Sequence, residues 1–184
     1  MPIPPRVLKR RELARTRLFR VEELWLRFAN GAERVYERLC EPLHGAVLVV
    51  PLLDDRTLVL VREYGAGLDQ YALGFPKGAV AAGEERLAAA ERELREETGF
   101  GARRLEFLKT LSLSPAYMGH RIDVVVAWEL FEAPLPGDEP EPPEVVTWPL
   151  ARAAELLARE DFSEGRSVAA LYLVQDWLAG RFRR

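Results

Sequence analysis

Two short apolar runs set the terms on which this chain can fold. Gly45-Ala-Val-Leu-Val-Val-Pro-Leu-Leu53 and Thr57-Leu-Val-Leu-Val61 are separated only by Asp54-Asp55-Arg56. Continuous apolar runs of this length, with no alternating polar face, read as strands buried on both sides. Such strands need cover above and below. In a chain of 184 residues, 48% of them hydrophobic, that cover is expected from helices packed around one core.

The remaining pattern supplies those helices. Residues 85–98, Leu150–Arg159 and Val168–Leu178 carry apolar residues at three- and four-residue steps, whereas Leu105–Leu113 and Arg121–Leu130 read as strands. Strands and helices interleave without a regular βαβ rhythm, which predicts an α/β fold with a mixed sheet. Upstream, the alternating runs Leu18–Phe28 and Arg34–Leu39 flank Asn30-Gly31, the signature of a β-hairpin closed by a type I′ turn. The expected division is a strand and hairpin segment over residues 1–43 and a main domain over residues 44–184. The Pro-rich acidic stretch 133–143 reads as a loop.

Charge and rare residues narrow the function classes. Residues 1–40 carry ten Arg or Lys against five acids, although the whole chain has a net charge of −3. These bases alternate with apolar residues, as on the wet face of a half-buried strand, so no nucleic-acid partner is expected. A single cysteine, Cys40, with two histidines excludes an intrachain disulfide and a structural zinc centre. No apolar run approaches about 18 residues. The Met1-Pro-Ile-Pro-Pro-Arg6 start lacks the features of a signal peptide. The expectation is a cytoplasmic protein without a membrane partner.

The chemistry concentrates in residues 78–100. At roughly 100° per residue, Leu87, Ala90 and Leu94 share one helical face, and Glu93, Glu96 and Glu97 cluster about a third of a turn away. Like charges at these spacings repel. The cluster also occupies the last helical turn, where the helix dipole disfavours anions. A hard divalent cation such as Mg²⁺ would relieve both effects, since it takes carboxylate oxygens, waters and substrate phosphates. Arg92, beside the cluster, could hold one carboxylate by bidentate hydrogen bonding.

Gly78, Glu84, Arg92, Glu93, Leu94, Glu96, Glu97, Gly99 and Phe100 fill without a gap the pattern Gly-x5-Glu-x7-Arg-Glu-U-x-Glu-Glu-x-Gly-U, with U a bulky apolar residue. This segment resembles the signature of the Nudix hydrolases. The resemblance implies an α/β/α sandwich, here with a mixed sheet and an N-terminal antiparallel hairpin extension. It also implies hydrolysis of a diphosphate linked to a nucleoside, with Mg²⁺ or Mn²⁺ as cofactor. Position by position, Glu93 and Glu97 would be the principal metal ligands, Glu96 a further ligand or water-orienting carboxylate, and the Lys77 carbonyl an additional metal contact. Arg92 and Glu84 would support them.

Further stretches resemble the ADP-ribose pyrophosphatase branch, and more closely the bacterial ADP compounds hydrolases within it. They are Val35-Tyr-Glu-Arg38, Arg62-Glu63-Tyr64, Leu73-Gly-Phe-Pro-Lys-Gly78, Leu113-Ser-Pro-Ala-Tyr117 and Gly137-Asp-Glu-Pro-Glu-Pro142. The implied activity is cleavage of ADP-ribose, NADH or diadenosine polyphosphates with release of AMP. Arg34, Glu37, Arg62, Pro115 and Tyr117 become candidate substrate contacts, and Glu139 and Glu141 candidate catalytic residues on a loop that closes over the metals. The family further implies a homodimer sharing its N-terminal strands. One departure concerns phosphate or ribose recognition: Gly65 follows Tyr64 where many ADP-ribose enzymes carry a basic residue. The alternatives are another nucleoside diphosphate sugar as substrate and a non-catalytic Nudix-fold binding module. Against the latter, every signature carboxylate is intact.

Overall fold

The computed structural model describes residues 2–40, 44–137 and 140–181. In chain order its strands are β1 (Arg6–Arg15), β2 (Arg20–Arg27), β3 (Glu33–Leu39), β4 (Ala46–Asp54), β5 (Thr57–Gly65), β6 (Gln70–Gly74), β7 (Lys77–Ala79), β8 (Phe100–Ser112), β9 (Arg121–Glu132) and β10 (Glu144–Pro149). Helix α1 (Arg86–Thr98) lies between β7 and β8. After β10 come a short 3-10 turn, α2 (Ala153–Leu157) and α3 (Gly165–Leu178). The chain forms two units, residues 1–45 with 112–121, and residues 46–111 with 122–184.

In the second unit the apolar runs become β4 and β5 at the centre of a seven-stranded sheet of order β10-β5-β4-β9-β8, with β6 on β5 and β7 on β4. β4 runs parallel to β9, pairing Val47 with Asp123 through Pro51 with Ala127, and antiparallel to β5 and β7. The mixed sheet is therefore as expected. Because side chains alternate along a strand, β4 and β9 feed two cores. Leu48, Val50 and Leu52 with Ile122, Val124 and Val126 pack in the core that includes Leu156, Ala170, Leu171 and Val174 of α2 and α3. Val47, Val49, Val125 and Ala127 pack with Ala89, Ala90 and Leu94 of α1. Each fully buried Val or Leu contributes roughly 1.5–3 kcal/mol, so cover on both faces is what makes these runs stable as strands. The result is an α/β/α sandwich.

Three details differ from the sequence expectation. Segments 70–74, 77–79 and 144–149 are strands, because each finds a partner at β4 or β5. Leu150–Arg159 is helical only to Leu157, in two short pieces. Leu87 shares the azimuth of Leu94 but remains 41% exposed, since it lies in the first turn of α1, where angle alone does not secure cover.

The first unit is a three-stranded antiparallel sheet, β1-β2-β3, in which a further strand joins the hairpin read at residues 18–39. The basic arm is its added strand, pairing Arg6 with Arg27 through Arg15 with Arg20. Charges on the sheet are partly matched in place, Arg11 by Glu23, Arg38 by Glu22 and Arg27 by Glu33. The β2–β3 turn is not type I′, which requires positive φ at both central residues. Gly31 has φ +82°, but Asn30 is not among the positive-φ residues. The Gly31 N–H donates to the Phe28 carbonyl and the Ala32 N–H to Asn30 Oδ1. The asparagine side chain thus stabilises a three-residue loop in which glycine alone takes the left-handed conformation. The loop 113–120 joins this unit through Leu39, whose N–H donates to Tyr117 and whose carbonyl accepts from Gly119.

Candidate active site

The site is assembled where β7 leads through a loop into α1. Gly78 is required there by close approach: a Cβ at that position would lie 2.1 Å from Cδ of Glu93. At the other end Gly99 takes φ +76° and its N–H donates to the Arg95 carbonyl, ending the helix with a left-handed residue. Arg95 in turn donates through Nε to the Ala133 carbonyl, which ties the start of the acidic loop to the last turn of α1.

Arg92 is the hub. Its Nε and Nη2 donate to the two oxygens of Glu84 at 2.9 and 3.0 Å, Nη1 to Glu93 at 2.7 Å and to Glu96 at 2.9 Å, and Nη2 also to the Ala79 carbonyl. Glu84 additionally accepts from the Ala81 N–H, closing the loop before the helix. The Arg92 side chain holds the Glu84 carboxyl below the usual carboxylate range, and Glu84 foremost raises the Arg92 pKa. Glu93 and Glu97 are 8% and 9% exposed, which overturns a plain solvated helix face. Glu97 accepts weakly from the Lys77 backbone N–H at 3.3 and 3.4 Å, while the Lys77 ammonium is paired with Glu63.

Lys77, Gly78, Arg92, Glu93, Glu96 and Glu97 line an open cavity of about 720 Å³, together with loop residues that include Leu135, Gly137, Pro142 and Pro143. Among the described residues the carboxylates fan around the Arg92 guanidinium instead of converging on one point. The donor set is nonetheless oxygen-only and anionic, as a hard divalent cation requires. The guanidinium already answers two of its carboxylates with positive charge. The residues present therefore fit a divalent metal.

The other predicted residues fall into separate groups. Arg34 and Glu37 are exposed on β3, and Arg34 donates to the Glu33 carbonyl. Pro115 and Tyr117 are exposed in the 113–120 loop of the same unit. Arg62, in the second unit, is engaged by Glu144 at 2.9 Å and Asp161 at 2.5 Å. Glu141 accepts from the Tyr71 hydroxyl and lines a different cavity from the α1 carboxylates. Glu139 lies outside the described residues. Sequence reasoning missed the Glu63 partner of Lys77 and the pairing of Tyr64 with Tyr71. The second was within reach, because the two tyrosines stand symmetrically about the short 66–69 turn.

A loop-helix-loop with one arginine binding successive signature glutamates defines a class, and comparison with known families agrees. The family model of the NUDIX domain matches residues 42–171, and that of the NudE-type Nudix hydrolase N-terminal domain matches residues 5–38. The chain belongs to the Nudix hydrolases. Among its relatives, the ADP compounds hydrolase NudE of Escherichia coli (strain K12) is 49% identical over 179 residues, covering 97% of this chain and 96% of the relative. The ADP-ribose pyrophosphatase of Bacillus subtilis (strain 168) is 29% identical over 148 residues, 79% of each chain. A crystal structure of an ADP compounds hydrolase superposes with a TM-score of 0.91 at 48% identity, covering 100% of this chain and 99% of that one.

Proposed function

We propose that this protein hydrolyses the diphosphate bond of ADP-linked small molecules, ADP-ribose among them, releasing AMP. The observation that carries the reading is the constellation of Arg92, Glu93, Glu96 and Glu97 around one cavity, with Glu84 holding Arg92. Its similarity to ADP compounds hydrolases over almost the whole chain supports the choice of ADP compounds. Nudix hydrolases generally use a divalent metal. Here Mg²⁺ or Mn²⁺ would be held by Glu93, Glu97 and Glu96, with the Lys77 carbonyl a further contact. When bound, the metal neutralises diphosphate charge and acidifies water.

The chain's own residues do the rest. Arg92 fixes Glu93 and Glu96 in rotamer and spacing, and Glu84 fixes Arg92. Glu96, Glu139 and Glu141 are the candidates to orient the attacking water and accept its proton. Arg62, Arg34, Glu37, Pro115 and Tyr117 are retained as candidate substrate contacts. The direct test is AMP release from ADP-ribose with Mg²⁺, lost on chelation and restored by Mg²⁺ or Mn²⁺. Failure to cleave ADP-ribose, NADH or dinucleoside polyphosphates with either metal would refute the reading.

Residues 1–43 are proposed as a dimerisation segment attached to a hydrolase domain over residues 44–184. β1 is exposed along its length, and Val7, Leu8, Leu13, Val35 and Tyr36 leave apolar surface on the three-stranded sheet. A homodimer of cytoplasmic location would cover it with an interface on the order of 1,600 Å². Light scattering at chain mass over a wide concentration range would exclude the dimer.

A further inference from the structure

Pro142 and Pro143 line two cavities at once, so the α1 cavity shares a wall with a second one of about 480 Å³. That volume falls within the range of small-molecule sites. A second link joins them: Lys77 lines the first cavity and its ion-pair partner Glu63 lines the second. The second cavity is built on the β5–β6 pair, where Tyr64 and Tyr71 are direct cross-strand partners. Their ring centroids are 5.6 Å apart at 67°, and the residues remain 51% and 50% exposed. An edge-to-face pair held by the ladder offers aromatic surface at little conformational cost.

The rim of this cavity is anionic. Of its three carboxylates, Glu63 is matched by Lys77 and Glu144 by Arg62, which Asp161 also engages, while Glu141 accepts from the Tyr71 hydroxyl, so the nearby cations are already engaged. Such a rim repels phosphate and favours a neutral or cationic planar group over the tyrosine faces. A diphosphate diester divides in the same way, into a charged centre and two organic ends.

We propose that the Tyr64–Tyr71 cavity is the subsite for a planar heterocyclic ring at the far end of the substrate. Its tyrosines thereby favour ring-ended ADP compounds over sugar-ended ones. The inference rests on the hydrolase reading for its catalytic consequence, but ring binding can be tested without turnover.

The test compares kcat/KM for NADH, which ends in a nicotinamide ring, with kcat/KM for ADP-ribose, which ends in a sugar. Tyr64→Leu and Tyr71→Leu each lower the NADH to ADP-ribose ratio about 10-fold, within the range for losing one base–aromatic stack. Tyr64→Phe and Tyr71→Phe keep the parental ratio. An unchanged ratio in the Leu variants, or an equal fall in the Phe variants, would overturn the subsite. In a second arm NADH is titrated in excess chelator and followed by its own fluorescence. The parent and Phe variants bind alike, and the Leu variants bind about 10-fold more weakly. Equal affinity throughout overturns the proposal. A parent that binds NADH in this way but cleaves neither compound, nor a dinucleoside polyphosphate, refutes the hydrolase reading and leaves the ring subsite standing.

Discussion

Arg62 and Arg92 each gather carboxylates, but in opposite proportion. Arg62 and Arg159 face Asp161 and Glu144, two cations against two anions joining β5, β10 and the segment before α3. Arg92 faces three carboxylates, Glu84, Glu93 and Glu96, with Glu97 on the same cavity. The first cluster is balanced in charge, and its ion pairs hold the candidate substrate contact Arg62 in place. In the second, three carboxylates share one guanidinium, which crowds negative charge onto partly buried groups. Under the proposed function, that crowding of negative charge, rather than the count of ion pairs, distinguishes the place a divalent cation and a substrate would occupy.

The comparison breaks most sharply at the helix. Glu93→Gln and Glu97→Gln each keep the shape and remove a charge, so hydrolysis falls by several orders of magnitude. The thermal midpoint shifts by only a few degrees, because like-charge repulsion is relieved as one ion pair is lost. Parental rates in both variants would end the metal assignment.

Whether the crowding extends to the acidic loop is decided by Glu139→Gln, Glu141→Gln and the double variant. At least one single variant lowers kcat by about 10²–10⁴-fold, with a smaller effect on KM. Near-parental kcat in all three would confine water activation to the α1 carboxylates. Gly78→Ala sharpens the geometry further. Its Cβ would sit 2.2 Å from both Glu93 oxygens, so the carboxylate end must move. The fold tolerates this, but activity drops about 10²-fold, the scale of an ångström's misplacement. Melting and rate measured on one preparation separate the two effects.

The smallest effect belongs to the neutral cluster. Arg159 first, then Arg62, against partial burial, pull the Asp161 carboxyl down to about 2. Its depressed value makes the charged form favour folding. That contribution is present above the ordinary carboxylate range and is lost as pH falls toward 2. Asp161→Asn therefore lowers stability near neutral pH by on the order of 1–2 kcal/mol, allowing for partial exposure, and flattens stability between about pH 4 and 2. Denaturant melts across that window show it. Hydrolysis at neutral pH stays within a few-fold, and a loss as large as that of Glu93→Gln would erase the distinction between the clusters.

The sequence revealed those parts of the fold whose information is local. The α1 signature was legible because its residues lie on one helix and the loop before it, where spacing dictates azimuth. β4 and β5 were legible because burial on both faces leaves an unbroken apolar run. The bounds of β1 were not, since Arg6–Arg15 is exposed throughout and carries no binary pattern. β10 was hidden because Glu144–Pro149 becomes a strand only through its pairing with β5. Asn30-Gly31 misled on turn type because an asparagine side chain also serves a turn in which only the glycine is left-handed. The second cavity depends on cross-strand register, and on a loop that returns from β9 to β10, neither of which spacing encodes.

The parallel pairing of β4 with β9 bears on the order in which activity arises. Val47 joins Asp123, and the entire signature lies on the intervening chain. Val125 and Ala127 of β9 complete the apolar floor beneath Ala89, Ala90 and Leu94. A 13-residue helix is marginal by itself in water, and pairing between strands so far apart in sequence comes slowly. During refolding, catalytic competence should therefore return no earlier than β9 docking, as stopped-flow assays of AMP release would register. A chain cut short before Arg121 would carry every residue of the signature and still possess no site.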